Sequence, residues 1–256
     1  MRHRWALVTG ATGGIGEELA RQLAQRGWAV VLHGRNQSKL MALAASLGTL
    51  GADVRIVCAD LAREDGAAEL VAKIDALGID PELVCNNAGF GYTERFCESS
   101  LERQRALVHV NILALTELCH AYGTRMAQRG EGYILNVASV AGVMPGPGMA
   151  TYFASKAYVL SLSEALHEEL APAGVHVTAL CPGPVRTGFW DVAGTDTSTK
   201  DAFMLTAEEV ARIGLVALLR NRAACAPGLV SKACYTFGRV APYSLSRKVS
   251  ALFNRR

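Results

Sequence analysis

Short apolar runs alternate with segments of helical period along nearly the whole chain, and this alternation restricts the fold more than any single motif does. The runs are Trp5–Thr9, Ala29–His33, Val54–Cys58, Leu83–Cys85, Tyr133–Val137 and Val175–Leu180, with a short last one near Ala226. Between them the spacing predicts helices over Gly14–Arg26, Ser38–Leu47, Arg63–Leu77, Leu101–Gln128, Tyr152–Leu170 and Ala207–Leu219. In the first helix Ile15, Leu19 and Leu23 share one face. The runs are apolar throughout rather than at alternate positions, as in strands buried on both faces.

Strands alternating with helices build βαβ units. The expected fold is therefore α/β: a single Rossmann-type doubly wound parallel β-sheet of about seven strands, with helices on both faces. The 256 residues, half of them apolar, are enough for one buried core. No apolar run reaches the ~18–20 residues of a membrane span. Met1-Arg-His-Arg-Trp5 leads directly into the first run, so a cytoplasmic location is expected. The seven cysteines are scattered, without a Cys-x-x-Cys pair or metal-ligand spacing, and read as reduced thiols. No metal is expected.

The turn between the first strand and first helix is Thr9-Gly-Ala-Thr-Gly-Gly-Ile-Gly16. Glycines there allow a sharp turn and close backbone approach, and the helix start offers free N–H groups to a pyrophosphate. Gly10, Thr12, Gly13, Gly14, Ile15 and Gly16 are the candidate dinucleotide cradle. The second strand ends in His33-Gly-Arg-Asn36, with no acidic residue to hold a ribose 2′-hydroxyl. Arg35, assisted by Lys39, suits a 2′-phosphate instead, which favours NADP(H) over NAD(H).

Tyr152 and Lys156 stand four residues apart, on one face of a predicted helix. Ser139 lies thirteen residues before Tyr152, just after a strand. A phenol beside a fixed ammonium is a tuned proton donor, and the cation is expected to pull its pKa down from about 10.

With these residues in view the chain resembles the short-chain dehydrogenase/reductase superfamily, in its Tyr-x-x-x-Lys branch. The resemblance runs to about residue 190. It rests on Thr9 to Gly16, Asp60-Leu61, Asn86-Asn-Ala-Gly89, Asn111, Ser139, Tyr152, Lys156 and Pro182-Gly-Pro-Val-Arg-Thr187. It implies that Asp60 and Leu61 flank an adenine and that Asn87, Ala88 and Gly89 line the cofactor. Pro182, Gly183, Val185 and Thr187 would fold over the nicotinamide, with Thr187 on its carboxamide. Tyr152 would protonate a carbonyl oxygen or accept an alcohol proton. Ser139 would orient that oxygen, Lys156 would hold ribose hydroxyls, and Asn111 would fix a water linking Lys156 to solvent. The implied activity is hydride transfer between a nicotinamide and a ketone or secondary alcohol, 3-oxoacyl compounds included. A non-catalytic dinucleotide-binding regulator or scaffold is the alternative, and the retained Asn111, Ser139, Tyr152 and Lys156 argue against it. Family analogy also implies a homodimer or homotetramer, through helices 101–128 and 152–170. Nothing points to nucleic acid as a partner.

The chain departs from many relatives at its end. Ala224 to Val230 stands where they carry a Val-Asp-Gly-Gly-like segment, and a basic tail follows. Residues 1–240 are read as the dinucleotide-binding catalytic domain and 241–256 as a basic amphipathic helical tail. After Glu209 there are nine basic residues and no acidic one, whereas residues 1–209 carry 17 basic against 23 acidic. Leu245, Val249, Leu252 and Phe253 form one helical stripe. That stripe is expected to pack on the domain or a sister subunit; the sharper alternative is weak contact with a membrane or an anionic carrier. Phe90, Met144 and Met149, with Phe189, Trp190 and Phe203 on a loop from 189 to 205, suggest an apolar substrate pocket with a lid.

Overall fold

A computed structural model describes residues 4–189 and 204–253. The strands are β1 (Trp5–Val8), β2 (Ala29–Gly34), β3 (Val54–Cys58), β4 (Leu83–Asn86), β5 (Gly132–Val137) and β6 (Val175–Leu180), then two-residue β7 (Val185–Arg186), β8 (Leu205–Thr206) and β9 (Ala224–Cys225). Seven of them make one sheet in the order β3-β2-β1-β4-β5-β6-β9, and every pairing is parallel. The chain starts in the middle, winds outward one way, then returns through β4 to wind the other way. That is the doubly wound plan, and its switch point lies between β1 and β4.

The pleat sorts each apolar run between two cores. Leu7, Val31, Val57, Val84, Ile134 and Val177 face one side, over α3 (Gly66–Ala76), α5 (Leu115–Arg129) and α6 (Ala150–Leu170). Ala6, Val8, Leu32, Cys85, Leu135 and Leu180 face the other, over α1 (Gly14–Gln25), α2 (Gln37–Gly48) and α7 (Ala207–Leu219). Asn36 caps α2 by accepting from the Lys39 amide, and Thr206 with Glu209 forms a capping box on α7.

Three sequence readings are corrected. The helix expected over 101–128 is broken: α4 (Leu101–Val108) passes through a π-helical turn, His109–Ala114, into α5. One extra residue in such a turn re-aims the side chains on it, and Asn111 sits there. A helix absent from the sequence reading, α8 (Gly228–Val240), starts at Pro227 and Gly228, which look like loop residues in the sequence. The stripe on α9 (Tyr243–Phe253) is only partly covered by the domain: Val249 is half-buried, Leu245 and Leu252 are exposed on the single chain, and the fully buried positions are Ser246 and Ser250. The small serines let the helix approach the body closely.

Candidate active site

The carboxyl ends of the strands open into one cleft of about 1950 Å³. Gly10 begins its floor. Its φ of +63° is a left-handed conformation natural to glycine, and a Cβ there would come within 2.9 Å of Ala88. The turn is held from below. Asn87 donates to the carbonyls of Thr9 (2.9 Å) and Gly10 (3.1 Å), and the Thr9 hydroxyl accepts from the amides of Asn87 and Ala88, each at 3.0 Å. Gly13 precedes α1 without a side-chain cap; the Gly16 amide donates to the Gly13 carbonyl (3.2 Å), which leaves the amides of Gly14 and Ile15 to meet an anion.

Gly10, Thr12, Gly13, Gly14 and Ile15 line the cleft, with Arg35, Lys39, Asp60, Leu61, Asn87, Ala88 and Gly89 farther along it. Gly16 is not among the lining residues. A Cβ there would sit 2.3 Å from the Gly10 carbonyl, so its role is to let α1 close on the turn. At the far end of β2, His33 is buried, with Nε2 3.2 Å from the Ala59 carbonyl, and burial pushes its pKa down to about 4. A glycine-rich cradle, a helix start without a side-chain cap and a cation just after β2 fit a dinucleotide phosphate chain.

The other half of the cleft carries the reactive set. Ser139 follows β5, its Oγ accepting from the Ala141 amide (3.1 Å) and its hydroxyl donating to the Pro182 carbonyl (3.3 Å). Tyr152 and Lys156 project from the start of α6 into the same cleft. The ammonium of Lys156 donates to the Val137 carbonyl at 2.7 Å and lies 5.8 Å from the centre of the Tyr152 ring. Pro182, Gly183, Val185 and Thr187 close the cleft from above, and Thr187 packs directly on Gly14.

The expected lowering of the tyrosine pKa is overturned. Burial pushes Tyr152 up to about 12, with the Ser139 hydroxyl pulling the other way, and burial pushes Lys156 down to about 8. Desolvation is the leading cause for both groups. At neutral pH the phenol therefore stays protonated beside an ammonium.

Asn111 stands behind the cleft rather than on its wall. Its carboxamide accepts from the Phe90 amide (3.1 Å) and donates to the Phe90 carbonyl (3.0 Å) and to Ser155 Oγ (3.0 Å). It locks the strand-four loop to α6. Deeper still, Asn86 donates to Asn136 and Asn136 to Ser163, each at 2.9 Å, tying β4 and β5 to α6. The sequence reading missed this relay; a lone Asn inside the apolar run 133–137 was its visible sign.

Phe90, Met144, Met149 and Phe189 all line the cleft, as the apolar pocket requires, and the Phe189 ring lies 5.5 Å from that of Tyr152. Trp190, Phe203 and most of the expected lid fall outside the described residues. Missed contributions come from the C-terminal helices. Val230, Cys234, Ser250 and Leu252 line the cleft, and Ser250 Oγ is buried with no hydrogen-bond partner among the described residues. Ser231 on α8 accepts from the Gly183 amide at 2.9 Å. Among the described residues no three His, Cys, Asp or Glu side chains converge to hold a metal ion.

Residues 4–198 match the family model described as short chain dehydrogenase. The chain belongs to that family. This short-chain dehydrogenase is 34% identical over 216 residues to a very-long-chain 3-oxoacyl-CoA reductase of Podospora anserina, a match covering 82% of this chain and 63% of that one. A solved short-chain dehydrogenase from Sphingobium yanoikuyae in complex with NADPH superimposes with a TM-score of 0.82 at 36% identity, covering 91% of each chain. Another, from Burkholderia phymatum in complex with NAD, gives 0.82 at 28% identity, covering 96% of this chain and 95% of that one. The chain is thus an oxidoreductase of this family.

Proposed function

We propose that the protein transfers hydride between NADP(H) and a ketone or secondary alcohol, 3-oxoacyl compounds included, with Tyr152 as the general acid or base. The observation that carries this reading is the convergence of Tyr152, Lys156 and Ser139 on the cleft that begins at the glycine turn. A bound reduced nicotinamide supplies the hydride. Every proton event belongs to the protein. The Tyr152 O–H bond breaks as a new O–H bond forms on the substrate oxygen, and the Ser139 hydroxyl, released from its long bond to Pro182, donates to the same oxygen. Lys156 keeps two of its three hydrogens after bonding Val137, enough for ribose hydroxyls.

Burial keeps the Tyr152 phenol protonated at neutral pH, the form that can give a proton to a carbonyl oxygen. Two names support the cofactor and substrate class: the NADPH complex of the Sphingobium protein and the 3-oxoacyl-CoA reductase of Podospora. The Burkholderia protein binds NAD, so the preference for NADP(H) rests on Arg35 and the missing acid after β2.

The test is Tyr152→Phe, assayed by NADPH oxidation against a panel of ketones and acyl thioesters. Turnover should fall by ~10²–10⁴-fold with NADPH binding unchanged. A variant that turns over like the wild type would remove Tyr152 from the mechanism.

A further inference from the structure

We propose that α8 and α9 form a docking face for an anionic lipid surface. This goes beyond the catalytic reading and does not depend on it. The observations come from both helices. Leu229, Val240 and Tyr243 are each between 76% and 85% exposed, and Leu245 and Leu252 also point to solvent. Exposed Lys232, Arg247 and Lys248 stand among them. Arg239 is engaged with Glu164, an ion pair that fastens α8 to α6. No acidic residue follows Glu209 in the chain. The fully buried positions of α9 are serines, with Val249 and Ala251 only half-buried, unlike a helix that packs by its apolar stripe.

Apolar side chains interleaved with cations, and no anion on either helix, match a surface that is apolar below and negative above. A second copy of the chain is a poor occupant. A twofold contact with its axis at α9 would set Arg247 and Lys248 close to their own copies, with no carboxylate on either helix to pair them. Among the described residues no helix is long and apolar enough to cross a membrane, so the contact is peripheral. Leu252 belongs both to the exposed patch and to the lining of the cleft, as does Val230. Docking there would bring the mouth of the cleft to the lipid, and an apolar substrate could enter without crossing water.

The experiment is co-sedimentation of the full chain with phosphatidylcholine vesicles, with and without about 30 mol% phosphatidylglycerol. Anionic vesicles should retain about tenfold more protein than neutral ones, and about 0.5 M salt should release most of it. Leu229→Ser with Leu245→Ser, and separately Arg247→Glu with Lys248→Glu, should each abolish pelleting while keeping the wild-type Tm. Equal recovery on neutral and anionic vesicles overturns the proposal. So does full retention in both variants. Light scattering that shows a dimer lost only in the serine pair would assign the patch to a second copy instead, and capture of an acidic protein without any vesicle binding would assign it to that class.

Discussion

His33 shows how one buried ring can set an acid limit for the whole cleft. It is the last but one residue of β2, two before Arg35 on the cleft wall, and its Nδ1 has no hydrogen-bond partner among the described residues. Burial holds the folded-state pKa at about 4, against 6.5 unfolded. Between those values the unfolded chain takes a proton that the folded chain refuses, so stability falls as pH falls from 6.5 to 4. The loss is at most about 3 kcal/mol. Urea unfolding at pH 7 and pH 4.5 should show it, and His33→Asn should flatten the difference. A wild type equally stable at both pH values would mean that His33 gains a proton partner in solution. Arg35 makes the second prediction at this scale. A charge-assisted pair to a 2′-phosphate contributes ~1.5–3 kcal/mol, so Arg35→Asp should shift the NADPH:NADH ratio of kcat/KM by about 10- to 100-fold towards NADH. An unchanged ratio would show that the cation touches solvent only.

Among the elements, α8 matters more to the site than its late position in the chain suggests. Ser231, in its first turn, holds the Gly183 amide and so fixes the Pro182–Thr187 segment over the cleft. Ser231→Ala leaves that N–H unpaired at a cost of about 1–3 kcal/mol. The expected outcome is a raised KM for the dinucleotide with kcat little changed, and partial recovery in Ser231→Thr. A fall in kcat alone would place Ser231 in the chemistry rather than in positioning. This latch also marks where sequence reading stops. The strands and most helices were legible because burial on two faces writes a periodic pattern along the chain, and boundaries differ by one to three residues, most at the start of α3. The cradle, Tyr152 and Lys156 were legible because their partners are close in sequence or share one helix face. Ser231 and Gly183 are 48 residues apart, and neither carries a local sign of the other. The π-helical turn hid inside a continuous helical pattern, since one inserted residue barely disturbs the period over 28 residues. The sign of the Tyr152 shift was misread because it depends on burial, which spacing does not report.

For the molecule as a whole, two cores share one sheet, so neither can open without exposing strands of the other. Hydrogen-bonded Asn86, Asn136 and Ser163 add a polar tie between β4, β5 and α6. The tail stands outside this layout. Helix α9 buries Ser246 and Ser250 and leaves Leu245 and Leu252 in solvent, so little apolar area is withdrawn from water by its docking. Removing residues 241–256 should therefore lower stability by no more than about 2 kcal/mol, read as a Tm shift of a few degrees. The same deletion strips Ser250 and Leu252 from the cleft wall, so the ketone KM should rise while the NADPH KM stays near its full-length value. Differential scanning calorimetry and initial-rate kinetics on one preparation check both halves. A truncated chain that fails to fold would make the tail part of the core, and an unchanged ketone KM would place the substrate away from α9.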